Sequence, residues 1–238
     1  MIQLVLTLYN GFSTEREVLM SIYDANCGVV WNGASLWGTA SDYCGWQGVS
    51  CESGIIVGLN LSGFGLTGTL PETLHGLQQL KSFIVNNNFL TSTIPQSICA
   101  LSHLKYFQGN SAGLTGQIPQ CICVLQNLKQ FYVSNNSLTG LIPTCVGNMT
   151  FLNEVNLTCN KLSGAIPKQF DTLPYIQQLT VNCNNNIECY ITLTRTNFLF
   201  ICGDIHCLDC PVYEQIICGS PAFIDVPNCG RYYILLEE

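Results

Sequence analysis

Charged residues are scarce in this chain of 238 residues. They make up 10% of the sequence, against about a quarter in an ordinary globular protein. The 8 lysines and arginines are outnumbered by 15 acids, and the net charge is −7. Because no basic run occurs either, the composition argues against nucleic acid or an anionic membrane as the partner.

Motifs typical of catalytic or metal-binding sites are also absent or weak in the sequence. The sequence contains no nucleophile elbow, metal triad or phosphate loop, and its three histidines, His75, His103 and His206, fall in unrelated contexts. We therefore expect no enzymatic activity, no cofactor and no metal. No segment approaches the run of about 20 apolar residues that spans a bilayer, so the sequence predicts no transmembrane segment.

Cysteine, in contrast, is abundant, with 15 residues. So many cysteines with so few other metal ligands are typical of an oxidising compartment. We expect a secreted or cell-surface protein. The apolar segment over residues 1–12 lacks a cationic start, and it is interpreted either as a signal-peptide remnant or as a strand that pairs along a sheet edge.

A repeat of 24 residues organises most of the chain. Five prolines recur at this spacing, and each follows a leucine by five residues: Pro71, Pro95, Pro119, Pro143 and Pro167. Each period also contains a short apolar alternation such as Phe131-x-Val133, which predicts a strand whose first residue points into the core. Stacked coils place these strands in a parallel sheet. Phe83, Phe107 and Phe131 should then form a buried column.

The asparagine two residues before each repeat leucine has a predicted structural task. Where the chain bends after the strand, buried backbone groups need partners that neighbouring strands no longer supply. Stacked amide side chains can supply them, and Asn88, Asn136, Asn160 and Asn184 fit this role. Phe64 and Ala112 depart from the pattern, so we expect a looser bend at Ala112 with Asn110 as the substitute.

On these motifs the chain resembles plant-type extracellular leucine-rich-repeat proteins. Their consensus LxxLxxLxLxxNxLTGxIP matches from about Ile56 to Asn184, and the run from Cys44 to Cys51 resembles their capping motif C-x-W-x-G-V-x-C. A Thr14-x-x-Glu17 capping box predicts a helix ahead of it. The resemblance implies an α/β solenoid, a right-handed superhelix with a parallel sheet on its concave face and disulfide-rich N- and C-terminal caps. It also implies a Cys44–Cys51 bridge.

Four segments follow from these patterns. They are the N-terminal apolar segment (1–12), the N-terminal cap (13–55), the repeats (56–184) and a cysteine-rich C-terminal cap (185–238). The C-terminal segment contains Cys189, Cys202, Cys207, Cys210, Cys218 and Cys229, whose pairing the sequence leaves open. The run His206-Cys207-x-x-Cys210 suggests zinc only weakly, because no second CxxC accompanies it.

Six other cysteines lie one period apart in three pairs. Equivalent residues of adjacent coils are separated by about 5 Å, which suits the Cα spacing of a disulfide. We predict the bridges Cys99–Cys123, Cys121–Cys145 and Cys159–Cys183, with separate buried thiols as the alternative. Cys27 lies outside every pairing scheme and is the candidate for an unpaired cysteine.

The residues beside each inward strand pair should form the concave surface, the usual ligand surface of the family. This surface is neutral and rich in amides, which suits a polar polypeptide or a carbohydrate. The predicted binding residues are Tyr106, Gln108, Gln130, Tyr132, Glu154, Asn156 and Gln178. Four N-x-S/T sequons predict N-linked glycans at Asn60, Asn135, Asn148 and Asn156; Asn60 and Asn156 lie on the same concave surface.

The sequence is compatible with two functions. The first is recognition of a protein or glycan by a non-catalytic extracellular module. The second is a structural subunit that assembles with copies of itself into a filament, which the apolar N-terminal segment, the odd cysteine and the concave sequons favour. Ice binding or hydrolase inhibition is a weaker alternative, because the mixed concave columns lack a repeated rank of threonine or asparagine.

Overall fold

The computed structural model describes residues 14–188, 199–201, 225–226 and 230–231. The predicted N-terminal apolar segment and the six cysteines of the C-terminal cap lie outside these residues. So do His206 and the CxxC motif beside it.

The N-terminal cap begins with helix α1 (Glu15–Ala25), which buries Val18, Leu19 and Ile22 against the first coil. The predicted capping box is confirmed, since Thr14 and Glu17 bond each other's backbone N–H groups. Behind the helix lies an aromatic cluster in which neighbouring ring centroids are 5.0–6.2 Å apart: Tyr23, Trp31, Trp37, Trp46 and Phe64. Two short 3-10 helices, Gly28–Val30 and Tyr43–Gly45, connect α1 to the first strand.

The main sheet has eight strands and forms the concave wall. Its first strand, β1, runs antiparallel to β2, and every later neighbour is parallel. The strands are β1 (Val49–Glu52), β2 (Ile55–Asn60), β3 (Ser82–Ile84), β4 (Tyr106–Gln108), β6 (Gln130–Tyr132), β8 (Glu154–Asn156), β10 (Gln178–Thr180) and β12 (Leu199–Ile201). The predicted solenoid and its register of 24 residues are confirmed.

The predicted phenylalanine column is also confirmed. Phe83 and Phe107 are fully buried and Phe131 nearly so. The ring centroids are 5.9 Å apart in the first pair and 5.6 Å apart in the second. These rings fill the centre of the solenoid, where each buried aromatic side chain contributes about 2 kcal/mol or more.

A second parallel sheet, which the sequence did not predict, lies ahead of Pro119, Pro143 and Pro167. It contains β5 (Thr115–Gln117), β7 (Ser137–Leu141), β9 (Asn160–Ala165) and β11 (Asn184–Glu188), in the order β11-β9-β7-β5. Each of the first three strands ends two residues before a proline, which has no N–H to extend the ladder. The proline therefore ends this sheet, but it does not prevent the residues ahead of it from pairing. A short antiparallel pair, β13 (Asp225–Val226) and β14 (Gly230–Arg231), follows near the C-terminus.

The convex wall consists of one 3-10 helix per coil. These helices start directly after the repeat prolines and span Glu72–Gly76, Gln96–Ala100, Gln120–Val124, Thr144–Asn148 and Lys168–Thr172.

The predicted amide ladder is present at all four asparagines. In Asn160, for example, Oδ1 accepts from the N–H of Leu138 at 3.0 Å, and Nδ2 donates to the carbonyls of Val133 and Leu157. The amide thus joins the backbones of successive coils where their strands end. The fully buried amide of Asn26 joins the cap to the first coil, since its Oδ1 accepts from Gly68 N–H and its Nδ2 donates to the Thr69 carbonyl.

The prediction for Ala112 is wrong. Asn110 faces the concave surface and accepts from Ser134 N–H instead of filling the bend. The missing amide is replaced by the backbone itself, because the carbonyl of Ala112 accepts from Leu90 N–H at 2.8 Å. Gly113 permits this approach: its φ is +81°, and a Cβ there would lie 2.2 Å from the Leu90 carbonyl oxygen.

The disulfides of the convex wall follow a different register from the predicted one. Cys44–Cys51 is present in the cap, with 5.7 Å between its Cα atoms. On the convex wall, however, Cys99 pairs with Cys121, and Cys123 pairs with Cys145. The separation is 22 residues in both cases, so the predicted 24-residue pairs Cys99–Cys123 and Cys121–Cys145 are wrong.

The geometry of the 3-10 helix explains the correction. Side chains on one face of such a helix recur every three residues. A residue on one convex helix therefore contacts the next helix at separations of 22 and 25, as Gly147 does with Gln169 and Thr172. A residue 24 positions along lies on another face of that helix. The 24-residue register holds between the strands of the main sheet from β2 to β10.

The predicted Cys159–Cys183 bridge is wrong as well. Cys183 is disulfide-bonded, whereas Cys159 carries a thiol whose pKa burial raises. Both residues follow a concave strand in a left-handed backbone conformation, with φ of +50° and +57°, so the bend between strand and turn sets the direction of their side chains. Cys27 is exposed and forms no disulfide among the described residues, as predicted.

The disulfide ladder can be extended by one coil. Gly147 and Gln169 occupy the positions that follow Cys123–Cys145 in the same register, and a Cβ on Gly147 would lie 3.1 Å from that of Gln169. We expect the variant Gly147→Cys/Gln169→Cys to form a third bridge. It should raise the free energy of unfolding by about 2 to 3 kcal/mol, the value for a loop of this length. Denaturant unfolding with and without reductant measures the gain. The double serine variant is the matched control, and an equal gain in it would show that the bridge is not the cause.

Candidate functional site

The parallel register places the predicted binding residues in two adjacent columns on the concave sheet. The first column contains Tyr106, Gln130, Glu154 and Gln178, and the second contains Gln108, Tyr132 and Asn156. All seven side chains are half-buried. They flank the inward column that Phe107, Phe131, Val155 and Leu179 form, so a packed core fixes the backbone below them.

Hydrogen bonds join Gln108, Gln130 and Glu154 to Asn86 in a row of side chains that crosses four coils. Gln108 accepts from Asn86 at 3.2 Å and donates to Gln130 at 3.4 Å. Gln130 in turn donates to Glu154 at 3.3 Å. Each of the two glutamines accepts a hydrogen bond from the preceding coil and donates one to the next coil. The row of side chains is therefore an ordered polar surface. We call it the concave amide chain.

Tyr132 completes the concave amide chain. Its hydroxyl donates to the Glu154 carboxylate. Burial, then this hydrogen bond and the charge of Glu154, raise the pKa of Tyr132 far above its usual value. Tyr132 is therefore the hydroxyl donor of this surface, and the Glu154 carboxylate is its acceptor.

A depression of about 470 Å³ opens where the concave sheet meets its lateral edge. Three of the predicted residues line it, namely Tyr106, Gln130 and Glu154, together with five others: Lys129, Phe151, Asn153, Tyr175 and Gln177. We call it the edge depression. The remaining predicted residues, Gln108, Tyr132, Asn156 and Gln178, lie outside its lining.

The sequence analysis missed the two aromatic rings of the edge depression. Phe151 and Tyr175 are 47% and 57% exposed, and their rings stack at 6.0 Å with an angle of 4° between the planes. They lie 24 residues apart, so the repeat register alone would have placed them side by side. Both rings precede the strands Glu154–Asn156 and Gln178–Thr180, so they lie outside the predicted concave columns.

The four sequons lie on different surfaces. Asn60 and Asn156 lie in one concave column, Asn135 follows a concave strand with a φ of +55°, and Asn148 ends a convex 3-10 helix. Asn60, Asn135 and Asn148 are exposed, whereas Asn156 is half-buried. A glycan on Asn156 would cover part of the second column.

Groups for metal or acid–base chemistry are dispersed in the described part of the chain. His75 and His103 lie on the convex side, where their Nδ1 atoms contact the carbonyls of Glu72 and Gln78. No cluster of three or more histidine, cysteine or acidic residues that could hold a metal ion occurs in the described ranges. In those same ranges no helix has the length and apolarity to cross a membrane.

Comparison with known proteins agrees with this geometry. The family description "Leucine rich repeat" matches residues 126–187. The ectodomain of the receptor kinase SOBIR1 from Arabidopsis thaliana superposes with a TM-score of 0.65 at 25% identity, and the match covers 74% of this chain and 95% of that one. The chain has the leucine-rich-repeat fold of plant receptor ectodomains.

Two further matches come from larger receptors of the same plant. The leucine-rich-repeat ectodomain of GASSHO1/SCHENGEN3, solved in complex with CASPARIAN STRIP INTEGRITY FACTOR 2, has a TM-score of 0.62 and 31% identity over 65% of this chain and 19% of that chain. The receptor-like kinase GSO2 is 35% identical over 92 residues, which is 37% of this chain and 6% of GSO2. The chain thus spans less than a tenth of the length of the curated relatives it matches. The aligned regions cover 5% to 7% of those relatives.

Proposed function

We propose that this leucine-rich-repeat chain is an extracellular recognition module that binds a polypeptide partner through its concave sheet. The concave amide chain is the observation that carries the proposal. A polypeptide backbone presents both donors and acceptors, and side-chain amides can match either. The disulfides support an oxidising, extracellular setting.

The tyrosines add contact area to this polar surface. Tyr106 and Tyr132 have few rotatable bonds, so they lose little conformational entropy when a partner covers them. Glu154 offers a single charge, already oriented by Gln130 and Tyr132. A polar partner with one cationic group opposite Glu154 suits this arrangement best.

Glycans at Asn60 and Asn156 would restrict the concave surface to its central coils. The strands β4 and β6 carry no sequon. Partner binding should therefore centre on Tyr106, Gln108, Gln130 and Tyr132, which those two strands contribute.

Assembly into a filament has less support among the described residues. The exposed thiol of Cys27 lies near Val29 and Val30, which are 84% and 67% exposed. A single thiol and two apolar side chains do not define a partner. Ice binding is disfavoured because the concave columns mix tyrosine, glutamine and glutamate instead of repeating one side chain.

The test is a selection of peptides from a displayed extracellular peptide library against the full chain. Binders should lose at least tenfold in affinity on Tyr106→Ala/Gln130→Ala, because both substitutions remove contacts of the central coils. The matched control is Gln126→Ala/Phe89→Ala, two exposed residues away from the concave columns, which should change affinity less than twofold. Calorimetry gives both values, and enzymatic removal of glycans before titration shows whether they limit access.

The result that would contradict concave recognition is also clear. If the selected binders tolerate the concave variant but are lost in the control variant, the partner binds another face. A library that yields no binder to the deglycosylated chain would equally count against a polypeptide partner.

A further inference from the structure

Three lysines follow one another along the lateral edge of the concave sheet, one coil apart. The N–H of Lys105 donates to the carbonyl of Lys81, and that of Lys129 donates to the carbonyl of Lys105, both at 2.8 Å. Adjacent strands are about 4.8 Å apart, so the three side chains leave the edge at that spacing. This edge carries three of the chain's 8 cationic residues, although the net charge is −7.

Two of these lysines have no acidic partner in the described part of the chain. Lys81 pairs with Glu52 at 2.5 Å. Lys105 and Lys129 are half-buried and exposed, respectively. The carboxylate nearest to Lys129 in the edge depression belongs to Glu154, which already accepts from Gln130 and Tyr132. Neighbouring like charges repel, so an anion would stabilise this row.

The same edge continues into the aromatic pair. In the two coils after Lys129, the lysine position is taken by Asn153 and Gln177, and the stacked rings of Phe151 and Tyr175 lie beside them. The edge therefore changes from a cationic row to an apolar platform flanked by amides. A ligand that lies along the edge must combine anionic groups, flat apolar faces and hydroxyl or carbonyl groups.

We propose that this edge binds a linear acidic oligosaccharide with one carboxylate on each sugar unit. The carboxylates would pair with Lys105 and Lys129, and the C–H faces of the sugar rings would stack on Phe151 and Tyr175. Asn153 and Gln177 can donate to and accept from the hydroxyl groups. The site adjoins the concave amide chain but does not depend on it.

The aromatic pair distinguishes this ligand from an acidic peptide. The exposed rings of Phe151 and Tyr175 offer an apolar surface to the flat C–H face of a sugar ring. A run of aspartate or glutamate side chains has no flat apolar face that could lie on these rings.

The test is calorimetric titration of the full chain with an oligogalacturonate decamer. We expect binding at about 0.1 M salt that weakens at least tenfold at about 1 M, where the Debye length falls from about 10 to about 3 Å. The fully methyl-esterified decamer, which keeps the rings but loses the charges, should not bind measurably. Lys105→Gln/Lys129→Gln should weaken binding of the acidic decamer at least tenfold.

Matched variants separate the edge from the net charge. Lys161→Gln/Lys168→Gln removes two exposed lysines elsewhere on the solenoid and should change the affinity less than twofold. Phe151→Ala/Tyr175→Ala should weaken binding at least fivefold through loss of the platform. None of these residues belongs to the concave amide chain, so failure here leaves concave recognition untouched.

Several outcomes would overturn the proposal. They are an undetectable interaction with the acidic decamer, equal binding of its methyl ester, and equal loss of affinity in the Lys161/Lys168 variant. Unchanged affinity after removal of the aromatic pair would also contradict it. Equal or tighter binding of a glutamate decapeptide would assign the edge to an acidic peptide instead.

Discussion

Asn88→Ala should lower the free energy of unfolding by about 3 to 5 kcal/mol, because it leaves several buried backbone groups without a partner. The Oδ1 atom of Asn88 accepts from the N–H groups of Gly65 and Leu66 at 2.9 and 3.0 Å. Its Nδ2 group donates to the carbonyls of Leu61 and Val85 at 2.9 and 2.8 Å. The side chain is only 4% exposed, so water cannot replace these bonds without opening the coil.

Equilibrium unfolding in urea, with the disulfides intact, measures this loss. Asn153→Ala is the control, because removal of this half-buried amide should lower the free energy of unfolding by less than about 0.5 kcal/mol. If Asn88→Ala does not fold, Ser92→Ala provides a smaller step of the same kind. Its Oγ atom accepts from the N–H of Leu70 at 3.1 Å, and its removal should cost about 1 kcal/mol. Equal stability of the wild type and both variants would show that the amide ladder does not hold the coils together.

Phe107→Ala should be similarly destabilising, at about 3 to 5 kcal/mol. Phe107 is fully buried between the rings of Phe83 and Phe131. Its removal leaves a cavity in the middle of the column, and the nearby Gly109 has no side chain to fill it. Only the adjacent coils could collapse into the space, and their paired strands resist that movement.

Phe89→Ala is the matched control for this substitution, because the ring of Phe89 is 70% exposed. It should change stability by less than about 0.5 kcal/mol. Phe107→Leu keeps most of the volume and should cost about 1.5 kcal/mol. The loss of unfolding free energy, measured from urea unfolding curves, should therefore be smallest in Phe89→Ala, intermediate in Phe107→Leu and largest in Phe107→Ala. A loss in Phe89→Ala as large as in Phe107→Ala would contradict the column as the main source of stability.

Much of the solenoid could be predicted because two periodicities coincide in the sequence. The 24-residue spacing of Pro71 to Pro167 sets the coil, and the alternation around Phe107 and Phe131 sets which side chains point inward. In the main sheet from β2 to β10, residues 24 apart become neighbours. The concave columns, the phenylalanine column and the amides such as Asn160 follow directly from that rule.

The same rule failed on the convex wall and in the second sheet, where most paired residues are 22 or 23 positions apart. On the convex wall a 3-10 helix turns once every three residues, so Cys99 lies against Cys121 instead of Cys123. At Ala112 the missing amide was replaced by a backbone carbonyl, which depends on the positive φ of Gly113. Both outcomes depend on how two coils pack, which a linear pattern does not contain.

The sequence by itself determined the period, the inward and outward residues, and the amides that join the coils, since these depend on short-range alternation repeated at one fixed length. Only the tertiary structure decided which cysteines pair. It also showed that Lys105, Lys129, Phe151 and Tyr175 share one edge beside the concave amide chain. The reason is that the strands of the main sheet keep residues 24 apart side by side. In the second sheet, on the convex helices and along the edge, the packing of neighbouring coils decides which side chains meet.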